Sequence, residues 1–124
     1  MRLLSLGSGS RGNATLLQAG GTTLLIDCGF TLKELEARLA LVDLEISTVD
    51  ALLLTHEHGD HVRGAAALHR RYSTPVWSTA GTSRGCSWGS GADIHHFHAN
   101  GGSFHIGALE IFPYTVPHDA AEPC

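Results

Sequence analysis

Val49-Asp50-Ala51-Leu52-Leu53-Leu54-Thr55-His56-Glu57-His58-Gly59-Asp60-His61 sets a short apolar run directly before a cluster of ligand-type side chains. The run Ala51 to Leu54, within Val49 to Thr55, has the length and unbroken apolarity of a strand buried on both faces, so the histidines fall at a strand's C-terminal end. Side chains alternate in an extended segment, which points His56 and His58 the same way and turns Glu57 elsewhere. Gly59 lets the backbone turn, and Asp60 with His61, at the start of the following helix, can then serve a second position close by. A lone surface histidine is ordinarily silent, whereas four ligand-type residues within six positions behind a buried strand form a metal-binding pattern. Imidazoles with one carboxylate suit borderline divalent ions, zinc first, with manganese or iron accepted by the same donors. Ions so held activate water, and the reaction expected is hydrolysis.

Outward from this stretch, the N-terminal side reads as strands. Leu3 to Leu6 leads into the Gly7-Ser8-Gly9-Ser10-Arg11-Gly12-Asn13 loop, Ala14 to Ala19 follows, and Gly20-Gly21 connects to Thr22 to Ile26 as a hairpin. Thr31-Leu32-Lys33-Glu34 matches a capping box, and Leu32, Leu35, Leu39 and Val42 then share one helical face. On the C-terminal side, Val62 to Tyr72 reads as a helix ending in Arg70-Arg71, and Pro75 to Trp77 as a strand. Thr79 to Gly91 reads mostly as loop, and Ile94 to His98, Ser103 to Ile106 and Ala108 to Val116 as strands. The order predicts an α/β chain of the α+β type, a mixed sheet faced by helices, in one domain over residues 1–124.

Composition narrows the function classes. With 43% hydrophobic and 16% charged residues the 124-residue chain is globular and large enough for one core. A net charge of -4 argues against a surface that holds nucleic acid by bulk electrostatics. Cys28, Cys86 and Cys124 are widely spaced and form neither a disulfide framework nor a zinc ribbon. The short apolar run before Gly7 does not make an export signal, and no stretch approaches the ~20 apolar residues that span a bilayer. A cytoplasmic protein without a membrane partner is expected. Nine histidines against eight lysines and arginines is an unusual ratio, in keeping with a metal site.

The His56-Glu57-His58-Gly59-Asp60-His61 motif resembles the H-x-H-x-D-H hallmark of the metallo-β-lactamase superfamily. Ser5 to Asn13, Leu25-Ile26-Asp27-Cys28-Gly29, Thr55 to Gly64 and Val116-Pro117-His118-Asp119-Ala120 are similar to its YycJ-like (WalJ-like) branch. The resemblance implies an αββα sandwich, of which this chain supplies the first half and a little more. It implies two divalent ions: His56, His58 and His118 at one, Asp60 and His61 at the other, with Asp60 also orienting water. Asp27 becomes a group that orients a ligand or steadies the motif loop, since a carboxylate after Leu24-Leu25-Ile26 is costly to bury without partners. Ser8, Ser10 and Asn13 lie on a glycine-rich loop that either touches a substrate phosphate or is a plain hairpin turn. The family's later bridging Asp and last His have no counterpart before Cys124, so this chain alone completes one metal site. A fragment, a truncated product and a pair of copies rebuilding the sandwich are the three explanations, and an isolated half should expose one face of its sheet.

Three functions follow from this pattern. The first is a phosphodiesterase or nuclease, with Arg11 and Arg63 binding phosphate locally. The second is a thioester or lactam hydrolase on the same metals, and the third a catalytically silent metal-binding or assembly module. His95, His96 and His98 lack a neighbouring carboxylate and read as exposed strand residues, and His69, His105, Cys28 and Cys86 carry no assigned role.

Overall fold

The computed structural model describes residues 1–124. Its sheet begins with β1 (Arg2–Gly7), β2 (Ala14–Ala19) and β3 (Thr22–Ile26), which pair antiparallel in sequence order. Gly20 and Gly21 take φ of 55° and 80°, the left-handed pair that a two-residue hairpin requires. Helix α1 (Leu32–Ala40) then crosses to β4 (Ala51–Leu53), which lies parallel to β3. Thr31 caps α1 by accepting the Glu34 amide at 3.3 Å, while Leu35 and Leu39 are fully buried. Two short helices, α2 (Gly59–Val62) and α3 (Ala65–Tyr72), lead to β5 (Val76–Ser78). Helix α4 (Ala80–Arg84) leads to β6 (Ile94–His96), and β4, β5 and β6 continue the sheet in parallel. A separate hairpin, β7 (Phe104–Ile106) and β8 (Leu109–Ile111), follows.

The two-sided burial expected for the apolar run is present, and alternation sorts it. Leu52 and Leu54 join Leu16, Leu25 and Val76 under α1 and α3, against Leu35, Leu39 and Leu68. Ala51, with Leu24, faces the other way and packs with Ile106 and Leu109 of the β7–β8 hairpin. Each leucine so enclosed contributes roughly 1.5–3 kcal/mol over its exposed state. The face expected to stand bare is therefore partly covered by the chain's own hairpin. Phe112 and Tyr114, just beyond β8, remain two-thirds exposed.

Most strand ends shift by a residue or two from the sequence reading, Ile94–His98 ending at His96, and four differences are structural. The Val49–Thr55 strand is shortened to Ala51–Leu53, because a single 3-10 turn at Ile46–Thr48 takes up Val49, whose amide bonds back to Ile46. The Val62–Tyr72 helix is two helices that begin at Gly59 and part at Arg63-Gly64. Gly64 donates its amide to the Cys28 carbonyl at 2.9 Å, and a Cβ there would strike the Phe30 carbonyl oxygen, so the helix is held against the β3 exit and cannot run straight. Thr79–Gly91 contains α4, capped by Thr79, whose hydroxyl accepts the Thr82 amide. The final strand ends at Ile111 instead of Val116, in a segment where Pro113 and Pro117 carry no amide to extend a ladder.

Backbone hydrogen bonds stitch the β3 exit to the motif. Asp27 donates to the Leu53 carbonyl at 2.8 Å, Cys28 to His61 at 2.7 Å, Gly29 to Asn13 at 2.9 Å, and Asn13 to Asp60 at 2.7 Å. Gly29 sits where these strands of chain cross, and a Cβ on it would overlap the Asp60 carbonyl oxygen and lie 2.6 Å from the Asn13 nitrogen. The Gly29→Ala variant is expected to lose about 1–3 kcal/mol of stability or more, because backbone and not a flexible side chain must move. Urea unfolding against the parent chain checks this.

Candidate metal centre

The motif loop leaves β4 at Leu53 and delivers its histidines at the C-terminal edge of the parallel strands. His56 is buried, His58 half-buried and His118 exposed, and one ligand atom from each lies within 4.8 Å of the others. His118 Nε2 stands 3.3 Å from His58 Nδ1. Two corners of a tetrahedron with arms of ~2.0–2.1 Å, the length of a zinc–imidazole bond, are separated by a closely similar distance. That edge fits a divalent ion, and the third imidazole lies close enough, within 4.8 Å, to close on the same ion with a small movement. The alternation inferred for the motif holds, since Glu57 turns away and its carboxylate accepts the Ala121 amide.

Asp60 and His61 form a pair on the first turn of α2. The His61 Nε2 atom lies 3.7 Å from the Asp60 carboxylate, and the His61 ring lies 4.0 Å, centroid to centroid, from that of His56. The pair is therefore adjacent to the triad.

Beneath both, Asp27 organises the protons. It is 5% exposed and takes φ of 63°, a left-handed backbone in which an Asp is tolerated. Its carboxylate accepts the Thr55 amide at 2.8 Å, the Thr55 hydroxyl at 2.7 Å and the His61 Nδ1–H at 2.7 Å. With its hydrogen given to Asp27, the Thr55 oxygen accepts from His56 Nδ1 at 3.0 Å. Both His56 and His61 are thereby set in the tautomer that carries hydrogen on Nδ1 and offers the Nε2 lone pair outward. The His56 pKa is lowered, first by burial and then by the neighbouring histidines, which keeps the imidazole neutral and able to ligate. That of His61 is raised, chiefly by its hydrogen bond to Asp27.

The glycine-rich loop divides. Asn13 accepts the Gly9 amide at 3.0 Å and donates to the Gly9 carbonyl at 2.8 Å and to Asp60, both its carbonyl and its carboxylate at 3.1 Å. Its amide is thus engaged in closing the loop and orienting Asp60. Ser8 and Ser10 are exposed on the same loop. His95, His96 and His98 are exposed, as expected, and His95 stacks on Trp77. Cys28 is fully buried beneath the loop, its thiol pushed up to about 12 by desolvation.

The sequence assigns no role to Thr55 or Glu57. Thr55 links Asp27 to His56, and a Ser or Thr immediately before the first motif histidine was the available signal. No local signal foretold the partner of Glu57, which lies 64 residues away.

Asp27→Asn keeps a residue that accepts the left-handed backbone but withdraws the charge. A loss of about 1.5–3 kcal/mol is expected in denaturant unfolding of the metal-free chain, the value of hydrogen bonds to a charged group. The share due to protonated His61 has a defined sign. Because its folded pKa is raised, that share is complete below the ordinary value of 6.5 and is lost as pH rises through the elevated one.

Residues 7–115 match the family model of the metallo-beta-lactamase superfamily. Among curated proteins, the chain is 35% identical over 121 residues to an exodeoxyribonuclease YycJ of Bacillus anthracis and 32% identical over 124 residues to an exodeoxyribonuclease WalJ of Streptococcus pneumoniae. In both cases 95% of this chain is covered and 46% of the relative, so the chain spans about half the length of these curated relatives. Ribonuclease TTHA0252 of Thermus thermophilus is 42% identical over 86 residues, covering 66% of this chain and 20% of that protein. Among solved structures, the Rm3 metallo-beta-lactamase superposes with a TM-score of 0.78 at 18% identity, over 98% of this chain and 51% of that one. BJP-1 of Bradyrhizobium japonicum gives 0.79 at 10% identity, over 98% and 51%. Mixed sheet, motif at the strand ends and family match agree, and the chain belongs to the metallo-β-lactamase superfamily.

Proposed function

We propose that this chain is the metal-holding part of a hydrolase that cleaves phosphodiester bonds in nucleic acid. The observation that carries the reading is the convergence of His56, His58 and His118 within 4.8 Å, beside the Asp60–His61 pair. The three histidines hold one divalent ion and the pair contributes to a second, with zinc the first fit to these donors and manganese or iron the next. Ions bound there supply Lewis acidity and lower the pKa of water toward neutrality.

The chain's own groups set the stage for that chemistry. Thr55 and Asp27 keep hydrogen on Nδ1 of His56 and His61, so Nε2 stays available. Asn13 aims the Asp60 carboxylate, which orients the attacking water. Arg11 and Arg63 are exposed on the segments flanking the site and provide local positive charge for a phosphate on a chain of net charge -4. Exposed Ser8 and Ser10 add hydroxyl donors beside it. The exodeoxyribonuclease and ribonuclease relatives support a nucleic-acid substrate over a thioester or lactam. Three free cysteines fit a reducing, cytoplasmic setting.

The full-length protein, incubated with labelled single- and double-stranded DNA and with RNA in zinc or manganese, is expected to cleave at least one of them. Chelation should abolish cleavage, and His58→Ala or Asp60→Asn should reduce it by about a hundredfold or more, since even partners behind the ligands contribute 10–100-fold. Hydrolysis of a thioester or lactam with no nucleic acid cut by either metal form would overturn the reading.

A further inference from the structure

Beyond Ile111 the chain forms neither helix nor strand, yet it carries His118 to within 3.3 Å of His58. On the far side of His118 this strap is tied down three times. Ala121 donates its amide to both Glu57 carboxylate oxygens, at 3.0 and 3.2 Å. Glu122 accepts the Gly81 amide on its carboxylate at 2.8 Å and the Thr79 hydroxyl on its carbonyl at 3.0 Å. Cys124 donates its amide to the Thr55 carbonyl at 3.0 Å. Before His118, Asn100 holds Thr115 through two hydrogen bonds.

One of these anchors lies inside the metal motif, between two of its histidines. Glu57 is also fixed from behind, because Gly85 at the end of α4 leaves room for its stem, and a Cβ there would lie 2.5 Å from Glu57 Cβ and 2.6 Å from Cγ. Its carboxylate is thus wedged between α4 and the strap, three residues past His118.

We propose that Glu57 is a positioning residue for the metal centre: by holding the Ala121 amide it seats the His118 loop against His56 and His58. The inference rests on the reading of these three histidines as one metal site. Glu57 offers no donor to that site and acts only by removing the ordering cost that a free loop would otherwise add to ion binding. The motif histidines and their third partner are set by one local backbone, although 60 residues separate His58 from His118.

Cobalt and zinc affinities, measured by absorbance titration and calorimetry on the full chain, test this. Glu57→Ala is expected to weaken binding about tenfold or more. Glu57→Gln, whose amide oxygen still accepts the Ala121 amide, should retain most of it. Gly85→Ala, which displaces Glu57 without altering it, should weaken binding as Glu57→Ala does. In a His118→Ala background neither Glu57→Ala nor Gly85→Ala should cost anything further. Losses of equal size with and without His118, or none in either, would overturn the proposal as a structural effect only. Equal affinity of the parent and His118→Ala would instead remove the metal reading beneath it, and the inference with it.

Discussion

A buried carboxylate persists only where hydrogen-bond donors meet its charge, and Asp27 finds them in the metal motif itself. Its three hydrogen bonds reach the Thr55 amide, the Thr55 hydroxyl and the His61 ring. Losing any of these partners would leave the charge at the end of β3 less well met. Holding them all fixes where the motif loop begins, how His61 is turned and, through Thr55, which nitrogen of His56 faces outward. Asp27 raises the pKa of His61, while burial and neighbouring rings lower that of His56 against it.

The sheet makes the arrangement rigid. The apolar residues of β4 are buried on both faces, under α1 and α3 on one side and partly under the β7–β8 hairpin on the other. The strand end that carries the histidines is therefore set in the middle of the core. Close backbone crossings at Gly29 and Gly64 then press the β3 exit against α2, which is why the helix bearing Asp60 and His61 is one turn long and separate from α3. Proximity of the Asp60–His61 pair to the histidine triad is a consequence of that packing.

Local patterns were readable where local forces decide. The β2 and β3 boundaries, the Gly20-Gly21 turn and the Thr31 cap follow from alternation, left-handed glycines and a hydroxyl at the right spacing. Two of the differing boundaries depend on distant contacts: the break at Gly64 on Cys28 and Phe30, and the end of the last strand on a tail drawn back toward Thr55 and Glu57. Helix α4 escaped notice because it is short and polar, with Gly81 and Gly85 inside or beside it. Those glycines serve the contacts with Glu122 and Glu57 and not the helix.

By itself the sequence determined the two-sided β4 strand and the clustering of His56, His58, Asp60 and His61, because these depend on side-chain alternation and on spacing within a few residues, and its motifs carried the likeness to the superfamily. The sequence resemblance implies His118 beside His56 and His58, and the fold brings the three within 4.8 Å. The tertiary structure alone decided that Asn13 is spent on Asp60, and that Thr55 and Glu57 have partners of consequence. Those outcomes rest on hydrogen bonds between segments tens of residues apart, and such pairings become definite only once the sheet has set the distances between them.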